Sequence, residues 1–358
     1  VDVLVVGAGV AGLACARALG AAGARVLVVD KGRRPGGRAS TRRLAQSGSE
    51  WRLDHGAQFV RCASRGLAEA LDAMRSEGLV APWSAPVLRI GPDGAVTGDD
   101  DARARQVPVG GMSGLCAYLA RGVEVRCSTL VAALEVRGDA VRARVRDAAA
   151  GSATAEPRTI EQRTIESATI EASCVVVTAP APQAAALVGA ADPALAARAA
   201  RAQFAPCLAA MAVFPGRADA DEPGALAFAS GPLAWAARAA SRPGIAPGRV
   251  GAEEAWVLHA SAAYSRAHLE DPPEAAAAAL VEALGEVRTG ALGRAPLPAP
   301  VALVGHRWRY ALVEEPVGDP CLRGADGRLV IAGDGCLGAR IDAAFESGLA
   351  AAAALGAG

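Results

Sequence analysis

Val1 to Val6 is an apolar run, Gly7 to Gly12 is a glycine-spaced turn, an alanine-rich helix follows to about Ala22, and Ala24 to Val29 is apolar again. Short, continuously apolar strands flanking one helix predict a βαβ unit in a parallel sheet covered on both faces. Between Leu130 and Asp147 the period changes to two. There Val141, Ala143 and Val145 alternate with Arg142, Arg144 and Arg146 after a Gly138-Asp139 turn, which predicts a half-exposed hairpin. Ser64 to Glu77 carries Leu67, Leu71 and Met74 at helical spacing, and Met112 to Ala120 reads as a second short helix. Ser173 to Thr178 returns to a buried strand. Leu329 to Ala332 does the same before a Gly-Asp-Gly turn and an alanine-rich helix from Ala339 to Leu355. Thr-Ile-Glu recurs at 159, 164 and 169, a period that fits neither helix nor strand and predicts an extended loop or irregular strand.

The apolar style of the first residues returns at the end, whereas Gln183 to Pro300 is rich in Ala, Pro and Arg and has no second glycine fingerprint. The two chain ends therefore belong to one lobe of an α/β fold, with another lobe inserted between them. Residues 1–60, 107–180 and 301–358 are assigned to a nucleotide-binding lobe, and 61–106 with 181–300 to a substrate lobe.

Charge narrows the partners. The 37 basic residues balance 37 acidic ones, leaving no net field to draw in nucleic acid. Lys31 is the only lysine, so no Schiff-base or general-base lysine exists elsewhere. The eight cysteines form no CxxC pair and the histidines show no ligand spacing, which disfavours a metal site and suits thiols in a reducing cytoplasm. Arg17 and the glycines interrupt the apolar opening, so it reads as neither signal nor membrane segment.

The candidate chemistry begins at Gly7-Ala8-Gly9-Val10-Ala11-Gly12. Strand before it and helix after it, this spacing lets a backbone turn approach a pyrophosphate at the helix N-terminus, and Asp30 ends the second strand where it can accept from a ribose. Such fingerprints serve NAD, NADP and FAD alike. Gly36-Gly37-Arg38 follows, with Arg38 placed to neutralise a pyrophosphate bidentately; a solvated basic loop, or Arg33 and Arg34 meeting a 2′-phosphate, are the alternatives. Gly333 and Asp334 close the last strand in a way that suits a ribityl hydroxyl on Asp334. The helix start near Arg340 and Ile341 then offers its positive end to a flavin pyrimidine edge. Together these favour FAD in a Rossmann-type, glutathione-reductase-like domain.

These motifs occur in one order with Asp30-Lys31, Asp54-His55-Gly56-Ala57-Gln58-Phe59, Gly110 to Ser113 and Thr178 to Gln183. Trp256 to Ser261, Ser265-Arg266, His306-Arg307-Trp308 and Tyr310 complete the set. The whole resembles the bacterial renalase-like oxidoreductases of the flavin amine oxidase superfamily, and it spans nearly the entire chain. The resemblance implies non-covalent FAD, a mixed-sheet substrate lobe, and oxidation of dihydronicotinamide isomers of NAD(P) with O2 reduced to H2O2. It also implies that Lys31 and Thr178 belong to the cofactor site, that Gly56, Ala57 and Gln58 lie against the isoalloxazine, and that the Val131 backbone meets adenine. Gly335, where an aromatic is common, and Tyr264, where a Trp is usual, depart from the pattern.

A dihydropyridine donor needs positioning more than acid-base help, because aromatisation drives hydride loss. His259 and Trp308 are the candidate catalytic residues, Trp235 and Tyr264 the candidate walls, and Arg307 and Arg309 the candidates for attracting substrate phosphates. Two alternatives remain at this point: an amine oxidase or desaturase on the same scaffold, for which a lysine near flavin N5 is typical and missing, and a non-catalytic flavin-binding protein.

Overall fold

The computed structural model describes residues 1–46, 49–98, 105–148, 168–216, 222–245 and 253–357. Strand β1 (Val3–Val6) lies between Cys174–Val177 and β2 (Val26–Val29), both parallel to it; helix α1 (Val10–Ala21) makes the first crossover. Leu329–Ile331 and Leu322–Arg323 extend the sheet on one side and Glu124–Arg126 on the other, giving six strands. Alternation along each strand sorts side chains to two cores. Val3, Val5, Val28, Val176 and Val330 face α1 and the last helix, α2 (Ile341–Ala354), while Leu4, Leu27, Val29, Val175 and Ile331 face the hairpin Thr129–Arg137/Ala140–Asp147. Continuous apolar strands are thus explained by cover on both faces. The hairpin itself buries Val141, Ala143 and Val145 and exposes Arg142, Arg144 and Arg146, as its alternation requires.

Strands β3 (Thr41–Gln46) and β4 (Ser49–Asp54) form an antiparallel pair that leads out of the nucleotide lobe. A seven-stranded sheet follows. Its edge strand β8 (Ala302–Glu315) pairs with β5 (Gln203–Pro215), then come β7 (Glu253–Ala260), β6 (Leu233–Arg238), Ala225–Phe228, Val87–Ile90 and Val96–Gly98. All pairings are antiparallel except Ala225–Phe228 with Val87–Ile90, so the sheet is mixed. One face buries Leu208, Ala210, Phe214, Trp256 and Leu258 under the helix Pro273–Gly290. The other packs Met211, Val213, Ala255 and Val257 on Trp51 and Leu53 of β4. That second interface joins the lobes and positions the site.

Two expectations are corrected here. Residues 302–315, assigned to the nucleotide lobe, belong by hydrogen bonding to the seven-stranded sheet. Of the Thr-Ile-Glu copies, those at 159 and 164 lie outside the described residues, and Thr169–Glu171 sits in a regular strand, Ala168–Ala172, paired to the hairpin. Among the described residues no helix is long and apolar enough to cross a membrane.

Candidate active site

At the nucleotide end, the first turn is held by the chain alone. Asp30 accepts from the backbone N–H groups of Ala8 and Gly32 at 2.6 Å each. The Thr178 hydroxyl lies 3.1 Å from the carbonyls of Val6 and Gly7, and Gly36 N–H donates to Ala8 O at 2.9 Å. Lys31 is exposed beside this turn. A Cβ at Gly12 would stand 2.0 Å from Gly7 O, so close packing demands that glycine. Gly9 is different. Its φ of −85° suits any residue, a Cβ there would meet nothing within 4 Å, and it starts α1 with no side-chain cap. No protein contact explains this glycine, whereas a phosphate resting on the uncapped helix N-terminus does. The cradle of Gly7, Ala8, Gly9, Val10, Ala11 and Gly12 therefore fits a dinucleotide's pyrophosphate.

Across that opening, Gly37 lies with its would-be Cβ 3.7 Å from Gly9 Cα. Arg38 makes two 2.6 Å hydrogen bonds to the Asp334 carboxylate and reaches the carbonyls of Tyr310 and Ala311 at 3.3 and 3.1 Å. This ion pair ties the first lobe segment to the last. Gly333 N–H donates to Ser347 Oγ at 2.9 Å, and α2 begins at Ile341 after Arg340, again without a side-chain cap. Val131 is followed by a bulge that leaves Ala132 without a register partner, a break in the ladder on the edge facing β2. A Cβ at Gly335 would meet Ala181 Cβ at 3.0 Å and the Phe204 ring at 3.3 Å, and Phe204 packs edge-on to Tyr310 and lies under the Arg38 guanidinium.

The segment after β4 crosses to the second sheet. Asp54 is buried and forms an ion pair with Arg242 at 2.9 Å; it also accepts from Thr41 Oγ1 at 2.5 Å and Met112 N–H at 2.8 Å. Burial pushes its carboxyl up and the Arg242 guanidinium down, each opposed by the other's charge. Arg242 also donates to Gln58 Oε1 at 3.0 Å and to the Gln58 carbonyl, and Gln58 Nε2 donates to Asp54 O. A Cβ on Gly56 would strike Arg38 O at 2.1 Å and approach the Trp308 ring at 3.5 Å. Gly56-Ala57-Gln58 is thus a braced ledge, with Ala57 N–H on Arg38 O at 2.8 Å.

Above the ledge, register collects the second sheet's contribution. Trp235 on β6 is opposite His259 on β7, His259 is opposite Ala209 on β5, and Ala209 is opposite His306 on β8, so these side chains share one face. Trp308 Nε1 donates to the His55 carbonyl at 2.8 Å, and His259 Nε2 lies 3.2 Å from the same oxygen. A carbonyl only accepts, so His259 carries its proton on Nε2. The rings of His55, His306 and Trp308 meet at centroid distances of 4.3 to 5.1 Å. Burial, then the neighbouring His306, Arg42 and His259, hold His55 down to about 3. Burial brings His259 to about 4, with Arg242 acting the same way and the His55 bond opposing; burial and Arg42 bring His306 to about 4. All three imidazoles are neutral at pH 7.

Of the side chains expected at the substrate site, His259, Trp308 and Trp235 are brought together, Trp235 within an aromatic group with Phe59 and Trp83 at 5.9 and 6.2 Å. Three are not. Arg307 is on the opposite face of β8 from His306 and Trp308, where it bonds Asp271 O at 2.7 Å and Glu270, and Arg309 pairs with the same Glu270. Tyr264 stacks on His268 at 4.2 Å. His55, His306 and Arg242 were not singled out from the sequence. The first two had a signal: with His259, they are three of only four histidines in the chain, all inside motifs of the resemblance. Arg242 had none.

Residues 5–73 match the family described as NAD(P)-binding Rossmann-like domain. Residues 96–356 match flavin containing amine oxidoreductase. The chain belongs to the flavin containing amine oxidoreductase family. Solved structures agree in fold. A putative protoporphyrinogen oxidase from Exiguobacterium sp. 255-15 superposes with a TM-score of 0.68 at 12% identity, covering 99% of this chain and 98% of that one. Cyclohexylamine oxidase from Brevibacterium oxydans IH-35A gives 0.67 at 16% identity, and putrescine oxidase bound to putrescine 0.66 at 15%, both with the same coverage. As a family member the chain is a flavin-dependent oxidoreductase, and the uncapped helix start at Gly9, with open space around it, leaves room for a diphosphate.

Proposed function

We propose that this oxidoreductase oxidises dihydronicotinamide isomers of NAD(P), using O2 as the final acceptor. The residues that would hold FAD are Gly9 and Arg38 for the pyrophosphate, Asp30 for the adenosine ribose and the Val131 backbone for adenine. Asp334 would take the ribityl chain, the start of α2 the pyrimidine edge, and Gly56, Ala57 and Gln58 the ring. The chemistry that the flavin supplies when bound is acceptance of a hydride at N5 and reoxidation by O2 to H2O2.

The observation that carries this reading is the charge state of the side chains gathered on the ledge. Three imidazoles held neutral and one indole surround the ledge, and the Asp54 carboxylate that braces it is already paired with Arg242. Lys31, the only lysine, lies at the nucleotide end. Among the described residues, none of the side chains in this cluster offers an alkylammonium a free carboxylate. A neutral dihydropyridine needs none, since its oxidation releases no proton from a heavy atom and asks only that the ring be held flat. His259 and Trp308, both fixed through the His55 carbonyl, set that plane, and Trp235 walls it.

Amine oxidation is the second reading, favoured by the family and by imidazoles able to take a proton from a bound amine. Product analysis separates the two. With a dihydronicotinamide isomer, formation of one NAD(P)⁺ and one H2O2 per O2 consumed supports the proposal. Release of ammonia or aldehyde from amines, with no turnover of any isomer, overturns it.

A further inference from the structure

The phosphate-bearing part of such a substrate must meet a cation, and around the cluster most are engaged. Arg38 holds Asp334, Arg242 holds Asp54, and Arg307 and Arg309 hold Glu270. Arg43 and Arg52 both lie near Glu50 on the outer face of the β3–β4 pair. Arg42 pairs with no carboxylate among the described residues.

Its position is defined by register. Arg42 is opposite Leu53, and Leu44 is opposite Trp51, so Arg42 issues from the face whose apolar members pack on Met211, Val213, Ala302 and Val304. On β8 the same alternation runs Ala302, Val304, His306, Trp308. Arg42 and His306 therefore continue one inter-lobe surface past its apolar part, at the edge strand of the sheet, with Arg42 exposed. Its charge is felt by both His55 and His306, consistent with a guanidinium at the rim of the cluster.

We propose that Arg42 is the specificity-determining residue that receives the phosphate of the substrate at the mouth of the site, selecting phosphorylated dihydropyridines over their nucleosides. This rests on the reading of the reaction given above. A guanidinium on a phosphate makes charge-assisted, frequently bidentate hydrogen bonds, which a lysine reproduces only in part.

The test compares the holoenzyme with Arg42→Gln and Arg42→Lys. Anaerobic flavin reduction is followed with dihydronicotinamide mononucleotide and dihydronicotinamide riboside, which differ by one phosphate. Binding of oxidised nicotinamide mononucleotide is measured separately by calorimetry. Loss of one charged hydrogen bond predicts that the mononucleotide-over-riboside preference in kred/Kd falls about tenfold or more in Arg42→Gln, with an intermediate loss in Arg42→Lys and a matching rise in the calorimetric Kd. An unchanged preference together with unchanged mononucleotide binding overturns the assignment of Arg42. Failure of both reduced compounds to bleach the wild-type flavin instead overturns the reaction, and the calorimetric comparison still decides whether Arg42 holds a phosphate.

Discussion

The indole N–H of Trp308 donates to the backbone carbonyl of His55 at 2.8 Å, joining residues 253 positions apart in sequence. The bond fixes the edge of the substrate sheet to the segment that continues into Gly56, and His259 shares the same acceptor. Trp308→Phe removes one donor and keeps an aromatic ring. Denaturant unfolding should show a loss of about 1–2 kcal/mol, and stopped-flow reduction should slow roughly 10- to 100-fold as the ring plane loosens. Wild-type reduction kinetics in this variant would take Trp308 out of the site.

Gly9 and Gly12 make opposite demands. Gly9→Val places its side chain in open space, so the apoprotein should lose no more than about 1 kcal/mol, yet purify colourless because the cradle is filled. Gly12→Val drives its Cβ into Gly7 O, and the protein should fail to fold. Absorbance spectra and thermal melts of the two variants check the pair. Yellow Gly9→Val at full stoichiometry would contradict the placement of the diphosphate.

The buried Asp54–Arg242 pair braces the ledge. Arg242→Met leaves the buried Asp54 carboxyl without its counter-charge, and should cost about 3–5 kcal/mol by denaturant titration. Adding Asp54→Asn should restore part of that loss. An additive double variant would mean the pair does not act as a unit.

Acid should destabilise the protein through its histidines. His55, His259 and His306 sit at about 3, 4 and 4 in the folded protein against an ordinary value of 6.5, so the unfolded chain binds more protons between those limits. Stability present above pH 6.5 is then lost as pH falls toward 4, each histidine contributing up to about 1.4 kcal/mol per pH unit. Unfolding midpoints measured across this window should fall steeply, and His259→Gln should flatten the slope by one proton. An equal slope would place His259 in a solvated position.

What the sequence revealed was local. The glycine turn, Asp30, the arginine-alternating hairpin and the terminal Gly333-Asp334 all declare themselves within a few residues, because backbone sterics and strand periodicity are short-range. The assignment of 302–315 to the first lobe failed because an edge strand is defined by its partner, and β5 begins a hundred residues earlier. Arg307 and Trp308 are adjacent in sequence but emerge on opposite faces, which follows from pleating once β8 is recognised as a strand. The ledge was least legible: Arg242 reaches Gln58 across 184 positions, and His259 reaches His55 across 204. Nothing near Arg242 in sequence announces that contact.

Anaerobic titration of the holoenzyme's visible flavin band decides which donor the enzyme oxidises. One equivalent of a dihydronicotinamide isomer should bleach the band completely and yield one equivalent of NAD(P)⁺, while primary and secondary amines leave it unchanged. Bleaching by an amine while every dihydronicotinamide isomer leaves the band intact would contradict the proposed reaction.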